Sequence, residues 1–81
     1  MTVAGQTMIE RIARVLAAEH YSANAEGDDP SAGATVDARW QDYREQAVAV
    51  LKSMREADAA MATAGDPAVW RRMVEATLAG G

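Results

Sequence analysis

The sequence predicts a small all-α protein, a three-helix bundle, and three observations lead to this class. Apolar residues recur at helical spacing in three segments, at about 7–20, 37–64 and 66–79. Helix-capping residues precede these segments, and no segment alternates apolar and polar residues as a strand would. At 81 residues the chain forms a single domain, with residues 1–6 as a loose leader and residues 22–36 as a long acidic loop.

The first helix is predicted from about Thr7 to His20. Thr7 to Glu10 fits a capping box, in which a hydroxyl and a carboxylate satisfy the free amides of the first turn. An apolar stripe follows at helical spacing and is expected in the core; its members are Met8, Ile9, Ile12, Val15, Leu16 and Tyr21.

The segment 22–36 is predicted to be a loop. Gly27, Pro30 and Gly33 interrupt any periodicity. An acidic cluster lies inside this segment and consists of Glu26, Asp28 and Asp29.

The second helix is predicted to begin at Asp37 as N-cap. A heptad stripe supports it, formed by Trp40, Tyr43, Ala47, Val50, Met54, Ala57 and Met61 and widened by Val48 and Leu51. Two alternatives stay open for its end. The helix runs unbroken to Ala64, or it breaks near residues 56–58 and Asp58 caps a short extra turn.

The third helix is predicted from two independent signals, Asp66 as a capping residue and Pro67 at the first helical position. Its stripe is two residues wide and consists of Val69, Trp70, Met73, Val74, Thr77 and Leu78. We expect both tryptophans of the chain, Trp40 and Trp70, to pack into the core, each indole N–H finding a partner or the surface.

Three segments together resemble a group of small uncharacterised helical proteins encoded in phages and prophages of proteobacteria. The segments are MIERIARVLAAE (8–19), WxxYxxxAxxxLxxMRE (40–56), and AMxxAG (60–65) followed by WRRMVEATL (70–78). The resemblance implies a helical fold and a phage or prophage context, and it carries no assigned activity. Proline often follows the Met-Arg-Glu triplet in that group; here Ala57 stands there, which leaves the helix free to continue.

The composition limits what such a chain can do. Hydrophobic residues make up 49% of the sequence, but 19 of them are alanine, so only 21 larger apolar residues remain to form a core. Cysteine is absent, which excludes disulfides and thiolate chemistry. A net charge of −4 argues against general binding to nucleic acid. The sequence shows neither a membrane-spanning run nor a secretory signal, so we expect a cytoplasmic protein.

Candidate catalytic and metal-binding residues are few. His20 lies near several carboxylates, but their order does not fit a known calcium loop, and a helix-end histidine favoured by the helix dipole explains it as well. The serines lack a plausible base other than His20, and no glycine-rich phosphate loop is present. We therefore predict no enzyme activity, no cofactor and no metal.

The function that the sequence favours is binding to a protein partner or to itself through helix faces, including a homodimer through the second helix. The alternative is an acidic, anti-CRISPR-like inhibitor of a host defence or nucleic-acid-processing enzyme, using the cluster at 26–29. A DNA-binding regulator is disfavoured by charge. The candidate partner-contact residues are Glu26, Asp28, Asp29, Arg71 and Arg72.

Overall fold

A computed structural model describes residue 3, residues 5–24 and residues 32–80. Within these residues the chain is helical and contains no strand, which confirms the all-α class. The elements are α1 (Met8–Asn24), α2 (Ala32–Arg39), a 3-10 turn (Trp40–Tyr43), α3 (Arg44–Ser53), α4 (Ala59–Ala64) and α5 (Pro67–Gly80).

Helix α1 begins where the capping pattern predicts. The Glu10 amide donates to Thr7 Oγ1 at 3.1 Å and the Arg11 amide donates to Thr7 O at 3.0 Å. The Glu10 carboxylate accepts from Arg14 Nε at 2.8 Å, one turn further along. The predicted end at His20 is wrong, because helical backbone continues to Asn24.

The predicted loop is shorter than 22–36, because α1 extends into its first residues and α2 begins at Ala32. Asp37 is therefore not an N-cap: it lies inside α2, where its carboxylate accepts from Arg14 Nη1 at 2.5 Å. A capping pattern depends only on residues that are close in sequence. Here the Asp37 carboxylate pairs with Arg14 on α1 and does not cap a helix. The acidic cluster at 26–29 falls outside the described residues.

The second predicted helix is interrupted twice. A 3-10 turn separates α2 from α3, and α3 ends at Ser53. Asp58 then caps α4, with its Oδ1 accepting from the Met61 amide at 2.9 Å, so the alternative with a break is confirmed. The Met54 carbonyl, which a continuous helix would bond to an amide four residues on, instead accepts from Trp70 Nε1 at 2.7 Å.

Helix α5 begins as predicted. Asp66 Oδ1 accepts from the Ala68 amide at 2.9 Å, and Pro67 takes the first helical position, where its missing N–H is not needed. The helix packs on α3 and α1, and Val74 is its buried residue.

The core is small and rich in alanine. Its buried side chains among the described residues are Ile9, Ala13, Ala17, Ala47, Leu51 and Val74. A ring of partly buried residues packs against most of them: Ile12, Leu16, Trp40, Tyr43, Val48, Trp70 and Leu78. Both tryptophans therefore contact the core, as predicted. Seven stripe residues expected inside are exposed instead: Met8, Val15, Val50, Met54, Met61, Val69 and Met73. On α1, Ala13 and Ala17 are buried, whereas Met8 and Val15 are not.

Candidate functional site

Helix α1 has two apolar faces, and the packing of the described residues buries one of them. Ile9, Ala13 and Ala17 recur every four residues and are fully or almost fully buried. Met8 and Val15 lie on a second face, and Val15 is 60% exposed. A valine exposed to this degree leaves most of its apolar surface in water, where burial would be favourable. This second face is the candidate interaction surface.

The exposed face forms one wall of an open groove of about 550 Å³, which we call the α1 groove. Val50 contributes from α3, so the groove lies between two helices. The lining residues are Gln6, Met8, Arg11, Ile12, Arg14, Val15, Leu16 and Val50. Most of this surface is apolar, and the charged side chains that the described residues contribute to it are two arginines.

Val15 also lines a second depression of about 490 Å³ between α1 and α2. Ala18, Gly33 and Val36 complete its apolar part, and Arg14 lines both depressions. Val15 thus forms a ridge between the α1 groove and the second depression. Because it borders both, their apolar linings form one continuous surface along α1.

Arg14 is fixed by three partners on different elements. Its guanidinium pairs with Glu10 at 2.8 Å and with Asp37 at 2.5 Å, and it lies over the Trp40 ring at 5.5 Å from the centroid. The hydrogen bond that Arg14 donates to Asp37, followed by the one that it donates to Glu10, raises the pKa of Arg14 above its ordinary value. Arg14 therefore holds α1 against α2 with its charge already neutralised.

Arg11, one turn before Val15, has a different environment. Its side chain is exposed, lines the α1 groove and forms no ion pair with any described residue. The two arginines of the groove thus differ in their contacts: Arg14 joins elements of the fold, whereas the charge of Arg11 is not paired with any described residue.

An aromatic cluster lies at the other end of α1. The His20 ring contacts Tyr21 edge-on, with centroids 4.9 Å apart, and lies 5.9 Å from the ring of Tyr43. Partial burial raises the pKa of the Tyr43 phenol, and Tyr21 raises it further through its charge and a hydrogen bond. His20 is thus packed in an aromatic cluster. No cluster of three metal-ligating side chains occurs in the described part of the chain.

The sequence-predicted contact residues do not converge on this surface. Glu26, Asp28 and Asp29 lie outside the described residues, so their role stays a prediction. Arg71 and Arg72 lie exposed on α5, where Arg71 Nε pairs with Glu75 at 2.8 Å, and neither lines the α1 groove. None of the helices in 5–24 and 32–80 combines the length and apolar character needed to cross a membrane.

The sequence pattern does not indicate the candidate interaction surface, because the stripe predicted for the first helix contains no alanine. Two apolar lines run along α1, one through Ile9 and Ala13 and one through Met8 and Val15. The small residues allow a closer approach between helices, so the line that contains them turns inward. Two parallel apolar stripes on one helix therefore indicate that one of the stripes stays exposed to solvent.

No protein-family model, curated protein or solved structure matches this chain. The resemblance to phage and prophage proteins stays a prediction. Fold and surface together define a small all-α protein with an apolar groove on its first helix. The proposal for its function therefore rests on that geometry.

Proposed function

We propose that this protein is a non-catalytic, phage-type protein-binding module whose contact surface is the α1 groove and the Val15 ridge. The observation that carries the proposal is the 60% exposure of Val15 in the middle of an apolar, two-helix surface. Contiguous exposed apolar surface is typical of interaction sites.

The polar side chains support binding over catalysis. Catalytic groups depend on burial and close charges to shift their pKa values. Among the described residues no polar or charged side chain is buried. Hydrogen bonds to Asp37 and Glu10 raise the pKa of Arg14, and partial burial raises the pKa of Tyr43, so both groups keep their protons at neutral pH. Such groups are suited to holding the fold together.

The size of the groove sets the expected strength of binding. A stable protein interface usually buries more than about 1,000 Å² in total. The α1 groove offers less surface than this, because it consists of two turns of α1 and one facing residue of α3. We therefore expect a transient complex with a dissociation constant on the order of micromolar.

The test compares two equally exposed apolar residues on different helices. Val15 is 60% exposed on α1 and Met73 is 62% exposed on α5. Helical peptides are selected from a displayed library on the wild-type protein, and their affinities for Val15→Asp and Met73→Asp are measured by fluorescence anisotropy. We expect a loss of about tenfold or more for Val15→Asp and little change for Met73→Asp.

Both substitutions fall on exposed positions, so far-UV circular dichroism should show folded protein in each case. Selected peptides that bind Val15→Asp as tightly as the wild type would place binding elsewhere and contradict the proposal. A selection that enriches no peptide would contradict it as well.

A further inference from the structure

We infer that the α1 groove takes an amphipathic helix that carries a carboxylate beside its apolar stripe, placed to pair with Arg11. This inference rests on the proposed function and specifies the chemistry of the partner. It follows from the shape of the groove, from its charges and from comparison with a second copy of this chain as occupant.

The shape of the groove fits a helix. Met8, Ile12 and Val15 recur at i, i+4 and i+7 along about 10 Å of α1, and Val50 faces them from α3. Apolar grooves between helices are filled by helices whose anchors have this same spacing. Addition of an extended peptide as a further β-strand requires the edge of a sheet, and the described part of this chain has no strand.

The charges of the groove determine which type of residue is expected beside the apolar stripe of the partner helix. Arg11 and Arg14 are the charged residues that the described part of the chain places along the groove, and none of its carboxylates lines it. Because Glu10 and Asp37 already neutralise Arg14, Arg11 supplies the positive charge at the rim. A guanidinium pairs most strongly with a carboxylate, through two parallel hydrogen bonds.

The net charge of −4 does not oppose this choice. Charges more than about 8 Å apart are largely screened at physiological ionic strength. A carboxylate in contact with Arg11 is therefore governed by the groove and not by the acidic residues elsewhere on the surface.

A second copy of the chain fits the groove less well. In a two-fold symmetric interface each surface meets itself. Pairing α1 with its own copy over Met8 to Val15 brings the two Arg11 side chains together near the axis. Like charges in an interface are unfavourable, whereas a separate acidic helix supplies the complementary charge.

The test is a set of three parallel selections from one random helical-peptide library, on the wild type, on Arg11→Glu and on Arg72→Glu. Arg72 is the matched control: it is also exposed, on α5, and forms no ion pair with any described residue. We expect glutamate or aspartate beside the apolar stripe of peptides selected on the wild type and on Arg72→Glu. Peptides selected on Arg11→Glu should carry lysine or arginine there.

A second measurement uses one peptide selected on the wild type. Replacing its flanking glutamate with glutamine should weaken binding to the wild type about fivefold, and leave binding to Arg11→Gln unchanged. Val15-dependent peptides without an acidic bias would overturn this inference and leave the proposed function standing, whereas peptides independent of Val15 would overturn both. A dimer seen by light scattering and abolished by Val15→Asp would make a second copy the occupant.

Discussion

At the scale of single residues, Tyr43 shows how the thin core affects titration. The phenol is partly buried against the core and shares a hydrogen bond with Tyr21. Both effects favour the neutral phenol, so the pKa of Tyr43 in the folded protein lies above its ordinary value of about 10. The folded state therefore holds this proton more tightly than the unfolded state does.

This difference predicts a loss of stability in alkali. The stabilisation is complete below about pH 10, the pKa in the unfolded chain, and disappears as the pH rises through the higher pKa of the folded state. In urea titrations at increasing pH, Tyr43→Phe should remove part of the alkaline decrease in unfolding free energy. Tyr21→Phe should remove less, because burial, the largest cause of the shift, remains. An unchanged decrease in Tyr43→Phe would contradict the assignment.

The helix caps show which contacts a sequence predicts at this scale. Thr7, Asp58 and Asp66 each accept from an amide two or three residues ahead, so short patterns suffice to find them. Arg14 and Asp37 lie 23 residues apart, and their pairing depends on how α1 and α2 pack. Hydrogen bonds between residues two or three apart could be predicted from the sequence, whereas an ion pair that depends on helix packing could not.

At the scale of elements, alanine determines how closely α1 and α3 approach. Ala13 on α1 and Ala47 on α3 are completely buried in the same cluster. Because both side chains are small, the two helices can approach closely. Ile9 and Leu51 then pack in the same cluster. Alanine thus contributes to the core by allowing close packing, although it buries little surface of its own.

This arrangement predicts that enlarging Ala47 is destabilising. Ala47→Leu forces three further carbons into a packed contact and should reduce the free energy of unfolding by about 1–3 kcal/mol. Ala49→Leu on the exposed side of the same helix is the matched control and should change it by less than about 0.5 kcal/mol. Urea unfolding followed by circular dichroism measures both, and equal stabilities would show that the helices can separate without cost.

The number of helices was predictable only in part. Three apolar segments are visible in the sequence, but the end of α3 depends on Trp70, a residue of α5, which takes the carbonyl of Met54. The predicted homodimer through the second helix stays a prediction. Ala47 and Leu51 are buried within the monomer, so such a dimer would use the more exposed Val50, Met54 and Met61.

At the scale of the whole molecule, the protein is elongated. Its extents are 41 × 26 × 25 Å and its radius of gyration is 14.9 Å, against about 12 Å for a compact domain of this length. An elongated shape with a small core leaves more surface in water than a sphere would.

The shape predicts a shallow unfolding transition. The slope of the unfolding free energy against urea scales with the surface that unfolding exposes, and we expect about 1 kcal/mol per molar urea, at the lower end for small proteins. Circular dichroism and tryptophan fluorescence should give the same midpoint if the chain unfolds in one step. A slope near 2 kcal/mol per molar or more would indicate a larger core than the structure shows.

The bond from the Trp70 indole to Met54 has a practical consequence. It joins α5 to the end of α3, while the only other tryptophan, Trp40, lies under Arg14 at the junction of α2 and α3. The chain thus contains two tryptophan fluorophores, one at the contact between α5 and α3 and one at the junction of α2 and α3. With Trp40 replaced by phenylalanine, the emission of Trp70 alone would follow the undocking of the last helix in time, without any attached dye.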